Sequence, residues 1–346
     1  MARSSGVSTA TVSRVMHKST GYSPATRERV LTAAADLGWV PSGSARGLAI
    51  RRAGIIGLLF PDFTSMGEAE EESPLYVDQV IRGAERAATA AGDAVLIAAT
   101  RGTTGRDLAW SVAGKVDGLV VVARSLTQAD LHSIARNLPI TLLAHRGSRR
   151  ANFDTVSVDN RSGVRALVQH LVTDHGCRDI VFVGGPARSP DSMERFAGFR
   201  EALRGAGLPA PRSPHAEGAF TEAGGAHAVR ALLVDRRHPD AIVCGNDEMA
   251  IGALAVLAIA KLRVPADVAV TGFDDIAAGR HIRPSLTTVR QPMRELGEQG
   301  VHSVLTRIGD PERRRLNVVL PTELVLRRSC GCRSVKPAST SARPAA

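Results

Sequence analysis

Apolar and polar positions change their spacing along the chain at about residue 53. Before that point, apolar residues recur at helical spacing in short runs separated by tight turns. From Gly54 onward, short continuous apolar runs alternate with longer amphipathic stretches. The first pattern is typical of a small helical unit, and the second is typical of parallel sheets covered by helices. The sequence therefore predicts an all-α head followed by a larger α/β core.

The first forty residues predict short helices joined by turns. Ser8 is a helix-capping residue before a helix over 9–16. Ser23-Pro24 supplies the cap and the first-turn proline of another helix, which ends before Gly38. Residues 41–52 are small and weakly periodic, so we expect a linker that becomes helical only on binding a partner.

Seven apolar runs in the core predict buried strands. They are Gly54–Phe60, Ala94–Ala99, Gly118–Val122, Ile140–Leu143, Ile180–Val183, Ala241–Cys244 and Val268–Thr271. The predicted helices between them are Tyr76–Ala91, Ser162–His175, Met193–Ala206, Ala223–Val234 and Met249–Ala260. This alternation indicates two doubly wound parallel-sheet subdomains, whose ligand would lie in the crevice beyond the carboxyl ends of the strands.

These patterns divide the chain into four parts. We expect a head over 1–40, a linker over 41–52, a two-lobed core over 53–330 and a disordered, Ser/Pro/Ala-rich tail over 333–346. Within the core, the N-terminal lobe is expected at about 53–157 plus about 290–315. The C-terminal lobe is expected at about 158–287 plus about 317–328.

Positive charge is concentrated in the head and linker. The net charge of the whole chain is +10. Residues 1–52 hold eight Lys or Arg residues against Glu28 and Asp36, so +6 of that charge lies there. A basic head on a nearly neutral body indicates a nucleic-acid partner, because Lys and Arg neutralise phosphates.

The remaining composition restricts the cellular setting. Four cysteines are too few and too unevenly spaced for a disulfide framework, so a reducing cytoplasm is the expected location. We recognise no signal peptide and no run of about 18 uncharged apolar residues, which a membrane span would need. The sequence therefore predicts no membrane partner.

Motifs distributed over most of the chain resemble the LacI/GalR family of bacterial transcription regulators. The head motifs are Gly6-Val-Ser-Thr-Ala-Thr-Val-Ser-Arg-Val15, Ser23-Pro-Ala-Thr-Arg-Glu-Arg-Val30 and Leu37-Gly-Trp-Val-Pro41. The core motifs are Ile56-Gly-Leu-Leu-Phe-Pro-Asp62, Val116-Asp-Gly-Leu-Val120, Val156-Ser-Val-Asp-Asn160, Gly184-Gly-Pro186, Glu194-Arg-Phe-Ala-Gly-Phe199, Asn246-Asp-Glu-Met-Ala-Ile-Gly252, Thr271-Gly-Phe-Asp-Asp275 and Leu286-Thr-Thr-Val289. The resemblance implies a helix-turn-helix head and a core of the periplasmic-binding-protein-like type.

The resemblance also implies which residues contact DNA. Thr9, Ala10 and Arg14 match positions that reach base edges in the major groove. Positions that fit phosphate contacts are Ser8, Thr11, Ser13, Arg27 and Arg29. Ala45 and Leu48 match the hinge helix, whose leucine wedges into the minor groove. The expected partner is a pseudo-palindromic operator bound by a homodimer, or by a tetramer.

The start of the head departs from the family pattern. In the family, several residues precede the position of Met1, so the first helix here is expected to lack its first turn. We interpret Met1 as a start codon assigned too far downstream. The alternative is a regulator that is defective in DNA binding.

For the core, the resemblance implies a small, sugar-like effector between the lobes. Arg195, Asn246 and Asp274 match polar residues that hold effector hydroxyls, and Phe220 is a candidate wall for stacking on a sugar. The expected contacts from the N-terminal lobe are Tyr76, Gln79, Arg101 and Ser125. Ala144-His145 departs from the usual Asp or Asn, and His145 could supply the missing hydrogen bond. Whether the effector induces or corepresses stays open.

Two other classes of protein compete with a repressor. An enzyme is disfavoured because G-x-x-x-x-G-K-[ST], G-x-S-x-G and H-E-x-x-H are missing from the sequence. A periplasmic-type sugar-binding protein would leave the basic head unexplained.

Two features of the sequence, a pair of histidines and a pair of cysteines, are candidates for metal binding. His170 and His175 are five residues apart and do not share the face of a metal pair. Cys330-Gly-Cys332 could bind a soft metal, but no further Cys or His lies near it in the sequence, so we expect no metal and no other cofactor.

Overall fold

The computed structural model describes residues 1–16, 20–38, 52–61, 75–100, 105–145, 153–234 and 238–332. The chain divides into two compact units, Met1–Gly54 and Ile55–Ala346. Three candidate site residues, Ala45, Leu48 and Arg101, lie outside the described residues, as do most of the predicted linker and the predicted tail.

Three described helices form the head: α1 (Ala2–Ser5), α2 (Thr9–Met16) and α3 (Pro24–Asp36). The Ser23 side chain accepts a hydrogen bond from the Thr26 amide at 3.2 Å, so this residue caps α3 as its sequence predicts. Val15 of α2 and Val30 of α3 are buried, and both α1 and α2 pack against α3. A small apolar core therefore holds α2 against the rest of the head.

The N-terminal lobe of the core is a six-stranded parallel sheet with helices on both faces. Its elements are β1 (Ile55–Pro61), α4 (Leu75–Ala90), β2 (Ala94–Thr100), α5 (Gly105–Ala113), β3 (Gly118–Val122), α6 (Gln128–Ile134), β4 (Ile140–Leu143) and β5 (Asp154–Val158), and later α12 (Met293–Gly309) and β11 (Asn317–Leu320). The strand order is β11-β5-β4-β3-β1-β2. Helices α4 and α12 cover one face, and α5 and α6 cover the other.

Two glycines set the close packing of α4 on α12. A Cβ atom at Gly83 would lie 2.0 Å from the carbonyl oxygen of Arg294, and one at Gly297 would lie 2.2 Å from that of Val80. No side chain fits at such distances, so the two backbones approach each other only because both residues are glycine.

The C-terminal lobe repeats the design with four parallel strands. Its elements are α7 (Asn160–His175), β6 (Ile180–Gly184), α8 (Pro190–Gly205), β7 (Ala216–Glu217), α9 (Glu222–Val234), β8 (Ala241–Cys244), α10 (Asp247–Ile259), β9 (Ala269–Thr271) and α11 (Ala278–His281). The strand order is β7-β6-β8-β9. Helices α7 and α8 cover one face, while α9 and α10 cover the other. The predicted class, a helical head followed along the chain by two doubly wound α/β lobes, is confirmed.

The described chain passes between the lobes at three places. It crosses from β5 into α7, from β10 (Thr288–Arg290) into α12, and from β11 into β12 (Glu323–Val325). Strands β10 and β12 pair antiparallel to each other. Strand β11 pairs with β5 and so belongs to the N-terminal sheet, although the sequence assigns the segment from 317 onward to the C-terminal lobe. The expected lobe boundary is therefore wrong at this point, and residues 317–320 belong to the N-terminal lobe. The backbone pairing of this short strand with β5 determines its lobe, and the pattern of its side chains does not indicate that pairing.

Candidate effector cleft and DNA-binding helix

Polar side chains of the core gather where the parallel strands of both lobes end. His145 follows β4, and Asn160 follows β5 at the first crossing. In the C-terminal lobe, Asn246 follows β8 and Asp274 follows β9. Because the carboxyl ends of parallel strands meet at one edge of a sheet, these polar groups define the candidate effector cleft.

Arg195 is the centre of this cleft. Its side chain, on α8, is 3% exposed. Its Nε donates to Asn160 Oδ1 at 2.8 Å, and its Nη1 donates to the carbonyl oxygen of Gly245 at 2.6 Å. The guanidinium carbon lies 3.8 Å from the centre of the Phe273 ring and 5.6 Å from that of Phe220. Hydrogen bonds and two aromatic faces thus hold a buried positive charge in one orientation.

Asp274 lies beside Arg195 in an unusual backbone conformation. Its Oδ1 is 3.6 Å from Arg195 Nη1 and accepts a hydrogen bond from Gln291 Nε2. Burial raises the pKa of Asp274 to about 7, against the opposing effect of Arg195. Its φ of 125° is strained for a residue with a side chain, and such strain is characteristic of functional sites. A carboxyl group in this state can donate or accept a hydrogen bond near neutral pH.

Tyr76 faces these groups from the N-terminal lobe. Its hydroxyl is buried and has no hydrogen-bond partner among the described residues. Burial raises the pKa of Tyr76 well above its usual value, and the nearby carboxylates of Asp191 and Asp274 add to this effect while Arg195 opposes it. A buried donor without a partner is costly, so a ligand hydroxyl is a natural acceptor for it.

Two further buried polar atoms near the cleft have no partner in the described part of the chain. They are His145 Nδ1 and Gln291 Oε1. Gln291 also donates to Asp274. Burial raises the pKa of Asp191, and Arg195 and the nearby His145 oppose that rise. The cleft therefore combines partnered groups, which fix its shape, with unpartnered groups that can receive a ligand.

Three predicted effector contacts already have intramolecular partners. The Asn246 side chain caps α10 by accepting from the Met249 amide at 3.0 Å, and it donates to the carbonyl oxygen of Phe220 at 3.0 Å. The hydroxyl of Ser125 donates to the carbonyl oxygen of Val122 at 2.7 Å. Gln79 Oε1 accepts from Arg294 Nε at 2.9 Å. These three side chains are held by other residues of the chain.

Two cleft residues are missing from the sequence-based candidates. Asp191 accepts a hydrogen bond from Asn160 Nδ2 at 2.7 Å, which extends the network of Arg195. It lies one helical turn before Arg195, a spacing that could have indicated it. Gln291 follows β10 at the second crossing, and only the folded topology brings it beside Asp274.

In the head, α2 presents the predicted DNA contacts on its outer face. Thr9, Ala10, Ser13 and Arg14 are exposed, whereas Val15 is buried. Ser8 caps the helix by accepting from the Thr11 amide at 3.1 Å. Arg27 and Arg29 of α3 are exposed as well. This arrangement suits a recognition helix whose N-terminal residues reach base edges.

Comparisons with known proteins agree with both parts of the chain. Residues 1–42 match the family model "Bacterial regulatory proteins, lacI family", and residues 168–330 match the model of a periplasmic binding protein-like domain. The HTH-type transcriptional repressor PurR of Erwinia tasmaniensis is 30% identical over 334 residues, which cover 95% of each chain. The ribose operon repressor of Escherichia coli K12 is 32% identical over 315 residues, which cover 90% of this chain and 92% of that protein.

Solved structures give the same result. The structure of the Lac repressor dimer bound to operator and the anti-inducer ONPF has a TM-score of 0.81 and 27% identity, and covers 95% of this chain and 97% of that chain. The transcriptional regulator CelR in complex with cellobiose has a TM-score of 0.71 and 31% identity, with coverage of 95% and 98%. A helix-turn-helix head joined to a two-lobed ligand-binding core defines a ligand-controlled transcription regulator. This chain belongs to the LacI family of such regulators.

No described helix is both long and apolar enough to cross a membrane.

Proposed function

We propose that this LacI-family regulator represses transcription from a pseudo-palindromic operator and responds to a small sugar-like effector bound in the cleft around Arg195. The protein acts as a homodimer in the cytoplasm and carries out no catalysis. The observation that carries the proposal is the buried group of Arg195, Asp274 and the Tyr76 hydroxyl, which has no partner among the described residues. In the same chain, the head exposes α2 with Arg14.

The chemistry of the cleft favours a polyhydroxylated ligand. Vicinal hydroxyls both donate and accept hydrogen bonds, which suits an arginine beside a carboxyl group. The aromatic ring of Phe220 lies close to Arg195 and can stack on the apolar face of a sugar ring. The relatives named above include a ribose operon repressor and a regulator in complex with cellobiose, which supports the same class of effector.

Closure of the lobes gives the effector a way to act on the head. The amide of Leu75, at the start of α4, donates to Glu248 Oε1 of α10 at 3.1 Å, so the lobes already touch beside the cleft. A ligand held by Arg195 from one lobe and Tyr76 from the other would change the equilibrium between open and closed lobes. In a dimer, that change would alter the spacing of the two heads and their affinity for DNA.

A thermal-shift screen of the full chain tests the proposed effector class. Monosaccharides and disaccharides are added singly, starting with ribose and cellobiose. A bound sugar should raise Tm, and at equal concentration a tighter-binding sugar should raise it more. The Arg195→Lys variant keeps the charge but loses the planar donor fork, so the shift should shrink. Arg200→Lys, on the same helix, is the control and should keep the shift. The proposal fails if no sugar raises Tm, or if Arg195→Lys responds like the wild type.

A further inference from the structure

Two histidines and two cysteines of the C-terminal lobe form a compact cluster outside the cleft. His170 and His175 lie on α7, and Cys330 and Cys332 lie beyond β12. One ligand atom from each residue lies within 4.8 Å of the others. The sequence-based expectation that the cysteines lack histidine neighbours is wrong, because folding returns the end of the core to a helix about 160 residues earlier.

The end of α7 explains how histidines five residues apart can meet. His175 is the last helical residue, and the chain then turns through Gly176 with φ of 68°. The imidazole rings of His170 and His175 are nearly perpendicular, at 83°, and their Nε2 atoms are 3.1 Å apart. The side chain of a terminal residue can reach back toward the preceding turn, so the usual i, i+4 spacing is not required here.

The distances within the cluster match tetrahedral coordination by zinc. With Zn–S of about 2.3 Å and Zn–N of about 2.0–2.1 Å, an ideal tetrahedron places N and N about 3.3 Å apart and N and S about 3.6 Å apart. The observed separations are 3.1 Å between the two Nε2 atoms, 3.7 Å from Cys330 Sγ to His170 Nε2, and 3.4 Å from Cys332 Sγ to each Nε2. These four separations agree with the tetrahedral values to within about 0.2 Å. The two remaining separations, from Cys330 to Cys332 and to His175, are no more than 4.8 Å.

Outer contacts orient the donors as a metal requires. Asp174 Oδ2 lies 2.8 Å from His170 Nδ1, which places the ring proton on Nδ1 and leaves Nε2 as an electron-pair donor. The Thr287 hydroxyl accepts from the Arg327 amide at 2.9 Å and donates to Cys330 Sγ at 3.0 Å. The Cys330 sulfur accepts this hydrogen bond, and its thiol donates to the carbonyl oxygen of Arg327 at 3.6 Å. Loss of that proton on metal binding would leave the sulfur as an acceptor only.

The turn between the cysteines is built for this arrangement. Gly331 has φ of 105°, which residues with side chains rarely adopt. A Cβ atom there would lie 3.2 Å from both Cε1 and Nδ1 of His175, tighter than ordinary contact. Glycine between the two cysteines therefore allows both sulfur atoms to face the histidines.

We propose that His170, His175, Cys330 and Cys332 bind one structural Zn²⁺ ion. Four protein donors leave no open position for a substrate, and two thiolates with two imidazoles are a preferred zinc set. The ion would fasten the end of the core to α7, whose opposite end carries Asn160 in the cleft. It would stabilise the lobe by closing a loop of about 160 residues.

Metal analysis of the full chain, purified without a metal-affinity tag, tests the site. We expect about one zinc per chain in the wild type. Cys332→Ser and His175→Asn should lose the ion. Cys244→Ala and His281→Asn, which alter a buried cysteine and an exposed histidine elsewhere, should retain it. Substoichiometric zinc in the wild type, or equal zinc in all variants, overturns the proposal.

Cobalt substitution of the wild-type chain keeps the test decisive if a variant fails to fold. Tetrahedral cobalt with two thiolates absorbs strongly in the visible and gives a sulfur-to-metal charge-transfer band. Weak absorption of octahedral cobalt contradicts the site. Peptide mass analysis of the anaerobically purified chain adds a further outcome: a peptide holding Cys330 and Cys332 that is lighter by two hydrogen masses would show a disulfide between them and refute metal binding. None of these readouts depends on DNA or effector binding.

Discussion

Replacing Tyr76 by Phe removes one oxygen atom from the buried polar group around Arg195. The hydroxyl is buried and unpartnered within the described residues, so the unliganded protein carries its desolvation cost without a compensating hydrogen bond. Such a group costs about 1–3 kcal/mol. In the absence of effector, Tyr76→Phe should therefore leave the free energy of unfolding unchanged or raise it by about 1 kcal/mol.

The effector-bound state should respond in the opposite direction. If the hydroxyl bonds to the ligand, its removal loses a net hydrogen bond of about 1 kcal/mol, which corresponds to a roughly fivefold higher Kd. The two measurements together separate a ligand contact from a structural role. If the hydroxyl made a structural hydrogen bond, its loss in Tyr76→Phe would make the unliganded protein less stable.

Urea unfolding and calorimetric titration with a sugar found by the thermal-shift screen provide these two quantities. The chain has only one other tyrosine, Tyr22 in the head, so Tyr22→Phe is a matched control that should leave effector affinity unchanged. A loss of about 1 kcal/mol or more in unliganded Tyr76→Phe would rule out the proposed ligand contact of this hydroxyl, and so would an unchanged Kd.

Three further predictions follow from groups elsewhere in the structure. Asp274 has a pKa raised to about 7 in the folded chain, which therefore holds an extra proton relative to the unfolded chain. The free energy of unfolding should fall as pH rises from about 5 to about 7, with a shallower slope in Asp274→Asn; an equal slope in urea titrations would contradict this. Asp154 is 1% exposed and accepts from two arginines, so Asp154→Asn should cost about 3 kcal/mol, whereas a loss below about 1 kcal/mol would show that the ion pairs matter little. Ser23→Ala removes the cap of α3 and should destabilise the head by about 1 kcal/mol and weaken DNA binding, with Ser4→Ala as control. An unchanged DNA affinity in Ser23→Ala would count against this role of the cap.

The sequence predicts the parts of the fold that carry continuous apolar runs. Strands such as β3 and β8 are buried and consist of apolar residues, and both are identified at their observed positions. Strand β5 is equally buried but contains Thr155 and Ser157, so hydrophobic pattern alone does not indicate it. Thr155 is accommodated there because its hydroxyl donates to Asn317 Oδ1 of β11 at 2.7 Å. Tertiary pairing, rather than local pattern, decides such elements.

The same difference separates the site residues that were found from those that were missed. Arg195 and Asp274 lie in motifs that resemble those of the family, and the structure brings them together. Gln291 reaches Asp274 only because the chain crosses between the lobes. In the same way, the two cysteines of the proposed zinc site meet the two histidines only in the folded chain, so no local spacing indicates either contact. Functional groups assembled from distant segments therefore require the folded topology.

Ligand-controlled, sequence-specific DNA binding is measured by titrating the full chain against DNA. Fluorescence anisotropy compares a fragment from upstream of the protein's own gene with a scrambled fragment of equal length, at several salt concentrations and with and without the sugar found by thermal shift. We expect tighter binding to the upstream fragment, a change in that affinity with the sugar, and loss of the sequence preference in Arg14→Ala but not in Arg3→Ala. Equal affinity for both fragments at every salt concentration, with no response to the sugar, would contradict this expectation.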